Sequence, residues 1–276
     1  MVLGLLPPAA SAAAAEGTAY RWVDDRGTVH YGDRPPPGAE PIGRARKSGG
    51  GEWRAVEWIP DGDTIHLADG TKVRLIGINT PEVAHRDDPA EPGGPEAQRF
   101  LRRFLAEKKV RLELGPEKKD KYDRTLAHVH TAGGANVNAL LLRRGHAHAV
   151  VKPPNLSRLE RYFAAEREAR RAGRGIWSRP RYGVQPAARA RDLRNAFHRI
   201  RGRVARVETA RKYIYLHFAE DFVAILRKDS RDAFTGAGKA PANMERRIMV
   251  VRGWIHLHDG TPSIRLRHPV QIESVR

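Results

Sequence analysis

The sequence contains no cysteine, so it can form neither a disulfide framework nor a thiolate metal site. Long apolar runs are also missing, because the Pro7-Pro8 pair interrupts the apolar stretch at the start and no other segment is long and apolar enough to span a bilayer. Of the 276 residues, 40% are hydrophobic, which is sufficient for two modest cores. Folding therefore rests on apolar cores, and the sequence predicts no membrane span.

Acidic residues are few relative to basic ones. The chain has 32 Asp and Glu against 50 Lys and Arg, which gives a formal net charge of +18 at pH 7. A field of this sign attracts polyanions and accelerates their encounter, so nucleic acid is the expected partner. A GC-rich genome would also raise the arginine content, and for exposed helices such as residues 161–174 the two explanations carry similar weight. Nothing in the sequence indicates an obligate protein partner.

Four short segments that follow one another in a fixed order are the most informative feature. They are DGDT at 61–64, VRLIGI at 73–78, NTPE at 79–82 and DKYDR at 120–124. Together they supply hard oxygen ligands for Ca²⁺ or Mg²⁺, a carboxylate that can position a water, and two guanidinium groups that match phosphate oxygens. Each segment alone is a weak signal, since each also occurs in ordinary turns and helix starts. Their joint order indicates a site that cuts phosphodiesters.

In this order the segments resemble the staphylococcal nuclease (thermonuclease) family. That family's pattern is similar to DGDT, an arginine in a hydrophobic strand, DTPE, GPEA, DKYGR and GIWS. Here the six motifs read as residues 61–64, Arg74, 79–82, 94–97, 120–124 and 175–178. The resemblance covers roughly residues 55–180, under half of the chain, and implies a five-stranded OB-type barrel capped by helices.

The resemblance also implies a catalytic Ca²⁺, with Mg²⁺ as the second choice. Asp63 would be a carboxylate ligand, and Thr80 would offer its backbone carbonyl. Asn79 stands where the family usually has a second carboxylate ligand. Its amide oxygen can still coordinate a cation but brings no charge, so weaker Ca²⁺ binding is expected.

The remaining predicted site residues act on the water and the phosphate. The resemblance implies that Glu82 holds and activates the attacking water, while Arg74 and Arg124 grip the scissile phosphate and stabilise the charge of the transition state. The predicted substrate-binding residues are Asp120, Lys121, Tyr122 and Lys152. The family's base-stacking tyrosine corresponds to Ala149 or a neighbour, where no aromatic stands, so base stacking is expected to differ.

Two functions of different classes therefore compete. The first is a metal-dependent nuclease that hydrolyses DNA, with RNA left open, in which a metal-bound water positioned by Glu82 attacks phosphorus. The second is a catalytically impaired nucleic-acid-binding protein on the same scaffold. The neutral Asn79, where the family usually has a second carboxylate ligand, is the residue that favours this alternative. Retention of Arg74, Glu82 and Arg124 favours the nuclease, because a binder has no need of a water-positioning carboxylate beside phosphate.

The chain divides into segments of different character. Residues 1–16 are typical of the end of a secretory signal, which predicts export to the periplasm or the exterior; an alanine-rich tail is the alternative. Residues 17–38 predict a small β-hairpin and resemble a domain of unknown function at the start of exported bacterial proteins, with the pattern YxWVDxxGxxHYxDxPP. Residues 39–53 predict a flexible basic linker.

The two larger segments make the chain mainly β with helices (α+β). Residues 54–180 are the predicted nuclease-like OB-type domain, and residues 186–276, rich in short strand-like runs, predict a second small OB-like barrel. Tyr213, Tyr215 and Phe218 lie in one of these runs. They have two interpretations: an aromatic groove for single-stranded nucleic acid, or filling of the barrel core.

Overall fold

The structure is a computed structural model that describes residues 20–23, 29–32, 37, 40–41, 51–85, 88–193 and 195–276. The predicted signal segment lies outside these residues, as does most of the predicted basic linker. At the start of the described chain, β1 (Tyr20–Val23) pairs antiparallel with β2 (Val29–Gly32), and β3 (Glu40–Pro41) pairs with the other edge of β1. The predicted hairpin is thus the first two strands of a three-stranded sheet.

A closed five-stranded barrel follows. Its strands are β4 (Arg54–Trp58), β5 (Thr64–Leu67), β6 (Lys72–Leu75), β8 (Lys109–Lys119) and β9 (Thr125–Thr131), in the order β4-β5-β6-β9-β8. Outside the barrel, the two-residue strands β7 (Ile78–Asn79) and β10 (His148–Ala149) pair with each other. Strand β7 carries Asn79, a predicted metal ligand.

Three helices cover this barrel: α1 (Gly94–Leu105), α2 (Val137–Arg143) and α3 (Leu159–Arg171). Helix α1 has a proline in its first turn and buries Leu101 and Leu105, which are spaced one helical turn apart. Helix α2 ends before Gly145, whose φ of +75° favours glycine. The predicted OB-type barrel capped by helices is confirmed.

The second barrel has the same connectivity as the first. Its strands are β12 (Phe197–Thr209), β13 (Tyr213–Phe218), β14 (Val223–Arg227), β15 (Ile248–His258) and β16 (Thr261–Leu266). Pairing of β12 with β15 closes the ring β12-β13-β14-β16-β15, and its third and fifth strands are parallel, as in the first barrel. Strands β11 (Val184–Pro186) and β17 (Ile272–Val275) and helix α4 (Arg231–Gly236) complete the unit. The predicted second OB-like barrel is therefore present.

The aromatic residues of β13 divide between the two interpretations of the sequence. Phe218 is buried in the core of the second barrel, together with Ile214 and Leu216. Tyr213 and Tyr215 alternate with these residues, are half-buried, and have ring centroids 6.3 Å apart. The core interpretation is correct for Phe218, whereas the two tyrosines lie on the outer face of the strand.

A buried ion-pair network joins the two barrels. Arg252 on β15 is 1% exposed, and its two terminal nitrogens lie 2.6 Å from the two carboxylate oxygens of Glu166 on α3. The same guanidinium donates to the carbonyl of Ala149 at 3.1 Å, and Glu166 accepts from the backbone N–H of Ala149 at 2.6 Å. A second carboxylate, Glu273, lies 3.1 Å from Arg252. Since Ala149 belongs to β10, the network also supports the strand that pairs with β7.

We expect Arg252→Ala to lower the free energy of unfolding by about 3–5 kcal/mol, because it leaves the buried Glu166 carboxylate with only the more distant Arg170, at 3.6 Å, as a counter-charge. Denaturant titration followed by tryptophan fluorescence measures the change. The matched control is Arg227→Ala, which removes an exposed arginine from its pair with Asp229 and should cost at most about 1 kcal/mol. Equal losses for the two variants would show that the network does not hold the barrels together.

Candidate active site

The DGDT segment places Asp63 directly before β5, at one end of the first barrel. Gly62 makes this possible, because a Cβ added there would lie 2.7 Å from the Cβ of Ala97 and 2.8 Å from Cγ2 of Thr80. Glycine therefore lets the turn pack against the segment that carries Thr80. The backbone N–H of Asp63 donates to Oδ1 of Asp61 at 2.9 Å, which fixes the turn.

Asp63 is 5% exposed, and its carboxylate forms a salt bridge with Arg74. Its Oδ2 accepts the backbone N–H of Thr80 at 2.9 Å and is 2.9 Å from Nη2 of Arg74. Burial raises the pKa of Asp63 to about 7, and the charge of Arg74 opposes that rise without cancelling it. A buried carboxylate that is this poorly compensated gains stability from an additional cation.

Arg74 is held by backbone carbonyls as well as by Asp63. It lies on β6 opposite Thr64 on β5, so the strand register brings it to the DGDT turn. Its Nη1 donates to the carbonyls of Leu75 at 2.7 Å and Ile78 at 3.0 Å, and its Nη2 donates to Oδ1 of Asn79 at 3.1 Å. These bonds fix the guanidinium before any phosphate arrives.

Both the oxygen and the nitrogen of the Asn79 side-chain amide form hydrogen bonds within the site. Its oxygen accepts from Arg74, while its Nδ2 donates to the carbonyl of Thr80 at 3.0 Å. That carbonyl is the one the family resemblance assigns to the metal. An aspartate at this position would accept from Arg74 but would leave the Thr80 carbonyl without this donor.

Glu82 stands on a loop tied to the start of α1. Its backbone N–H donates to Glu91 at 3.1 Å, its carbonyl accepts from the backbone of Glu91 at 2.9 Å, and a Cβ added to Gly94 would lie 2.1 Å from that carbonyl. The motif at the start of α1 thus holds the backbone of Glu82 in position. Glu82 is exposed, but partial desolvation of its carboxylate, followed by the charge of Asp61, raises its pKa. Such a carboxylate is suited to accept a proton.

Arg124 is oriented by Asp120 of the same segment. Nε and Nη2 of Arg124 lie 2.9 and 2.8 Å from Oδ2 of Asp120, and the other carboxylate oxygen accepts the backbone N–H groups of Tyr122 and Arg124. Burial acts to raise the pKa of Asp120, but the bonds from Arg124 outweigh it and hold the pKa below its usual value. Asp123 has a φ of +62°, a conformation that aspartate tolerates better than most residues. Asp120 therefore orients the arginine from behind.

Most of the predicted side chains meet in one cavity of about 630 Å³ between the two barrels. The predicted residues that line it are Asp63, Arg74, Asn79, Glu82, Lys121, Arg124 and Lys152. Thr80, Asp120 and Tyr122 are not part of this lining; Tyr122 is 66% exposed, and the guanidinium of Arg124 lies 5.5 Å from its ring centroid. The structure thus brings together residues that are up to 89 positions apart in the chain, from Asp63 to Lys152.

The second barrel supplies lining residues that the sequence analysis did not single out: Trp254, Arg265 and Arg267. Their local signal is weak, because an aromatic or an arginine that alternates with buried residues along a strand is ordinary. Asp61 also lines the cavity, although the sequence analysis used it only as part of a motif. The cavity is therefore not a property of the first barrel alone.

The donor set is chemically suited to a hard divalent cation. Asp63, the Asn79 amide and the Thr80 carbonyl are all oxygen donors, and Asp61 adds a second carboxylate to the cavity. Within the described ranges, no three side chains of His, Cys, Asp or Glu come together as a complete metal cage. Oxygen donors without thiolate or imidazole favour Ca²⁺ or Mg²⁺ over a transition metal.

An OB-type barrel with a carboxylate and two arginines at one end is chemically suited to a phosphate ester. The comparisons specify it further: residues 72–179 match the profile of the family described as "Staphylococcal nuclease homologue". Residues 72–179 are therefore similar to the staphylococcal nuclease family, which confirms the resemblance. Residues 6–48 match "Domain of unknown function (DUF4124)", in agreement with the resemblance of the first segment.

Known relatives agree over the same part of the chain. It is 40% identical to "Thermonuclease" of Staphylococcus hyicus over 106 residues, which are 38% of this chain and 62% of that protein. It is 40% identical to "Thermonuclease" of Staphylococcus intermedius over 108 residues, 39% of this chain and 64% of that protein. "Endonuclease YhcR" of Bacillus subtilis is 33% identical over 116 residues, 39% of this chain and 10% of that protein. The chain thus spans less than two thirds of each relative.

No helix in the part of the chain that the structure describes is long and apolar enough to cross a membrane.

Proposed function

We propose that the protein is a metal-dependent nuclease that hydrolyses phosphodiester bonds of DNA, with RNA as a second substrate to be tested. One observation carries the proposal: a single cavity is lined by a buried carboxylate, Asp63, an exposed carboxylate, Glu82, and two fixed arginines, Arg74 and Arg124. These are the groups that an in-line attack of water on phosphorus requires. The thermonuclease and endonuclease relatives support the same reaction.

In the proposed reaction, Glu82 accepts a proton from a water whose oxygen bonds to phosphorus. The bond between phosphorus and the 5′-oxygen breaks, and the leaving oxygen takes up a proton from solvent, which leaves a 3′-phosphate and a 5′-hydroxyl. Arg124 donates through Nη1 to the non-bridging oxygens, where negative charge accumulates in the transition state, and Arg74, whose terminal nitrogens already bond to protein oxygens, contributes its Nε–H and its charge. Ca²⁺, held by Asp63, Asn79 and Thr80, supplies further positive charge when bound. Lys121 and Lys152 line the same cavity and attract the flanking phosphates.

The alternative is a nucleic-acid-binding protein of the same fold that has lost turnover. One observation favours it: Asn79 contributes no charge, and its amide hydrogen occupies the Thr80 carbonyl. The two proposals differ in the need for Glu82, since a carboxylate beside phosphate weakens binding of a polyanion unless it serves the chemistry.

Cleavage of single-stranded and duplex DNA by the purified protein, with Ca²⁺, with Mg²⁺ and with a chelator, separates the two proposals. The nuclease cleaves with Ca²⁺ and stops with the chelator. Binding without cleavage under every metal would establish the alternative. The same assay with RNA settles the second substrate. Export stays a prediction, and cell fractionation tests it: the protein should appear in the periplasm or the medium rather than in the cytoplasm.

We expect Asn79→Asp to lower the Ca²⁺ concentration needed for half-maximal cleavage about tenfold, because a second carboxylate adds charge to the ligand set and frees the Thr80 carbonyl. The control is Asn79→Ala, which removes the amide oxygen and should raise the requirement. A Ca²⁺ titration measures both. Unchanged Ca²⁺ dependence in Asn79→Asp would remove Asn79 from the ligand set.

A further inference from the structure

The second barrel places an aromatic ring in the wall of the candidate active site. Trp254 on β15 lines the large cavity, and it also lines an adjoining cavity of about 90 Å³ that contains Asn79 and Glu82. Its ring packs edge to face against Phe197 at 5.0 Å, and Phe197 in turn lies 4.8 Å from the ring of His148. Trp254 is therefore held in a fixed orientation while 36% of it stays exposed.

The first barrel offers no comparable ring at the position where base stacking is expected. Ala149 is fully buried and pairs with Ile78, and the next two residues are Val150 and Val151. Tyr122, although exposed, does not line the cavity. Of the phenylalanine and tryptophan side chains that line the large cavity, Phe163 is buried and Phe197 half-buried, whereas Trp254 is exposed.

Basic side chains extend from Trp254 along the second barrel. Ile255 on β15 pairs with Ile264 on the antiparallel strand β16. Trp254, the residue before Ile255, therefore lies opposite Arg265, the residue after Ile264, on the outer face of the barrel. Arg267 lies two residues further along and points to the same cavity. Both arginines are exposed, and no carboxylate in the described part of the chain pairs with them. An aromatic face beside free arginines is the arrangement that binds single-stranded nucleic acid.

We infer that the second barrel supplies the nucleotide subsite of this enzyme: Trp254 stacks on a base next to the scissile phosphate, and Arg265 and Arg267 bind the phosphates that follow. The occupant is a single strand, because a base inside a duplex is already stacked on both faces. The inference rests on the proposed function for its location, but it makes a claim about binding that does not require turnover.

The first test measures equilibrium binding of a fluorescent oligothymidylate by anisotropy, in the Glu82→Ala background and with Ca²⁺ present. Trp254→Ala should raise Kd about 5-fold to 150-fold, the range for loss of one stacked base, and Trp254→Phe should retain most of the affinity. The matched control is Trp53→Ala, since Trp53 is 37% exposed but lies outside the cavity. Wild-type affinity in Trp254→Ala, or an equal loss in Trp53→Ala, overturns the inference.

An abasic oligonucleotide series guards against a folding defect of the variant. In this series a single abasic residue is placed at successive positions of the oligonucleotide. With Trp254 intact, one of these positions should raise Kd by a factor similar to that expected for Trp254→Ala. Trp254→Ala should be insensitive to that substitution, because the stacking partner is already gone. Equal losses at that position in both proteins would show that Trp254 does not touch the base.

The second test addresses the phosphate contacts. Each phosphate contact to a single strand contributes about 0.7 to the slope of log Kd against log salt concentration. The Arg265→Gln, Arg267→Gln double variant should lower that slope by about 1.4, whereas Arg211→Gln, an exposed arginine outside the cavity, should leave it unchanged. An unchanged slope in the double variant overturns the assignment of the two arginines.

Failure of the inference can be told apart from failure of the proposed function. Cleavage that does not depend on Trp254 would leave a nuclease without this subsite. Trp254-dependent binding without cleavage would leave the subsite on a binding protein.

Discussion

Glu82→Gln slows cleavage of single-stranded DNA about 10²-fold to 10⁴-fold, the usual contribution of a positioned acid or base. Glutamine keeps the shape of the side chain but cannot accept the proton of the attacking water. The fold should be unaffected, because the side chain is exposed and the loop is held by backbone bonds to Glu91. Single-turnover kinetics at saturating Ca²⁺ measure the loss in the chemical step.

DNA affinity separates this effect from a general disturbance of the site. Glu82→Gln should bind DNA as tightly as the wild type or more tightly, because a negative charge beside the phosphate is removed. The control is Glu57→Gln, which changes an exposed glutamate on β4 outside the cavity and should leave both rate and affinity unchanged. A Glu82→Gln enzyme with wild-type turnover would remove this residue from the mechanism.

Arg124→Lys should lower the cleavage rate about 10²-fold to 10³-fold although the charge is retained. The guanidinium contacts Asp120 through Nε and Nη2, and the remaining nitrogen points towards the site, 3.5 Å from Oγ1 of Thr64. Lysine offers a single point donor that cannot bind Asp120 and phosphate oxygens together in this geometry. The measured quantity is again the single-turnover rate.

The matched control for Arg124 is Arg103→Lys, an exposed arginine in the last turn of α1. It should keep the wild-type rate. A rate for Arg124→Lys within a few-fold of wild type would mean that the charge of this side chain matters but its fork does not, and the proposed clamp on the phosphate would then rest on Arg74 alone.

The first barrel, and the common location of most residues of the candidate site, were predictable from the sequence for a physical reason. Asp63, Arg74 and Asn79 stand at the ends of strands that are close in the chain, so the barrel register brings them together with few alternatives. The helices follow from apolar spacing, as with Leu101 and Leu105, and from the glycine after α2. The apolar pattern within each segment and the order of the strands were therefore sufficient to predict this part of the structure.

The contacts between the barrels had no such local signal. Arg252 and Glu166 are 86 residues apart, and each alone is indistinguishable from a solvated side chain of a very basic protein. Trp254 likewise appears as one more aromatic in a strand until the barrels are placed side by side. Such contacts depend on the relative position of two cores, which periodicity within one strand does not report.

The effect of Asn79 could be predicted only in part from its residue type. The sequence predicts a neutral metal ligand in place of an acidic one. The structure adds that the amide also donates to the Thr80 carbonyl, so the substitution affects two candidate ligands at once. The effect of Asn79 on metal binding is therefore expected to exceed the loss of one charge.

The central claim is hydrolysis of a phosphodiester by water at this cavity, and one measurement tests it most directly. A single-stranded oligonucleotide is incubated with the protein and Ca²⁺ in water enriched in ¹⁸O, and the products are analysed by mass spectrometry. The account predicts fragments that end in a 3′-phosphate carrying one ¹⁸O atom. Intact oligonucleotide that remains bound, or ¹⁸O in a 5′-phosphate, would contradict it.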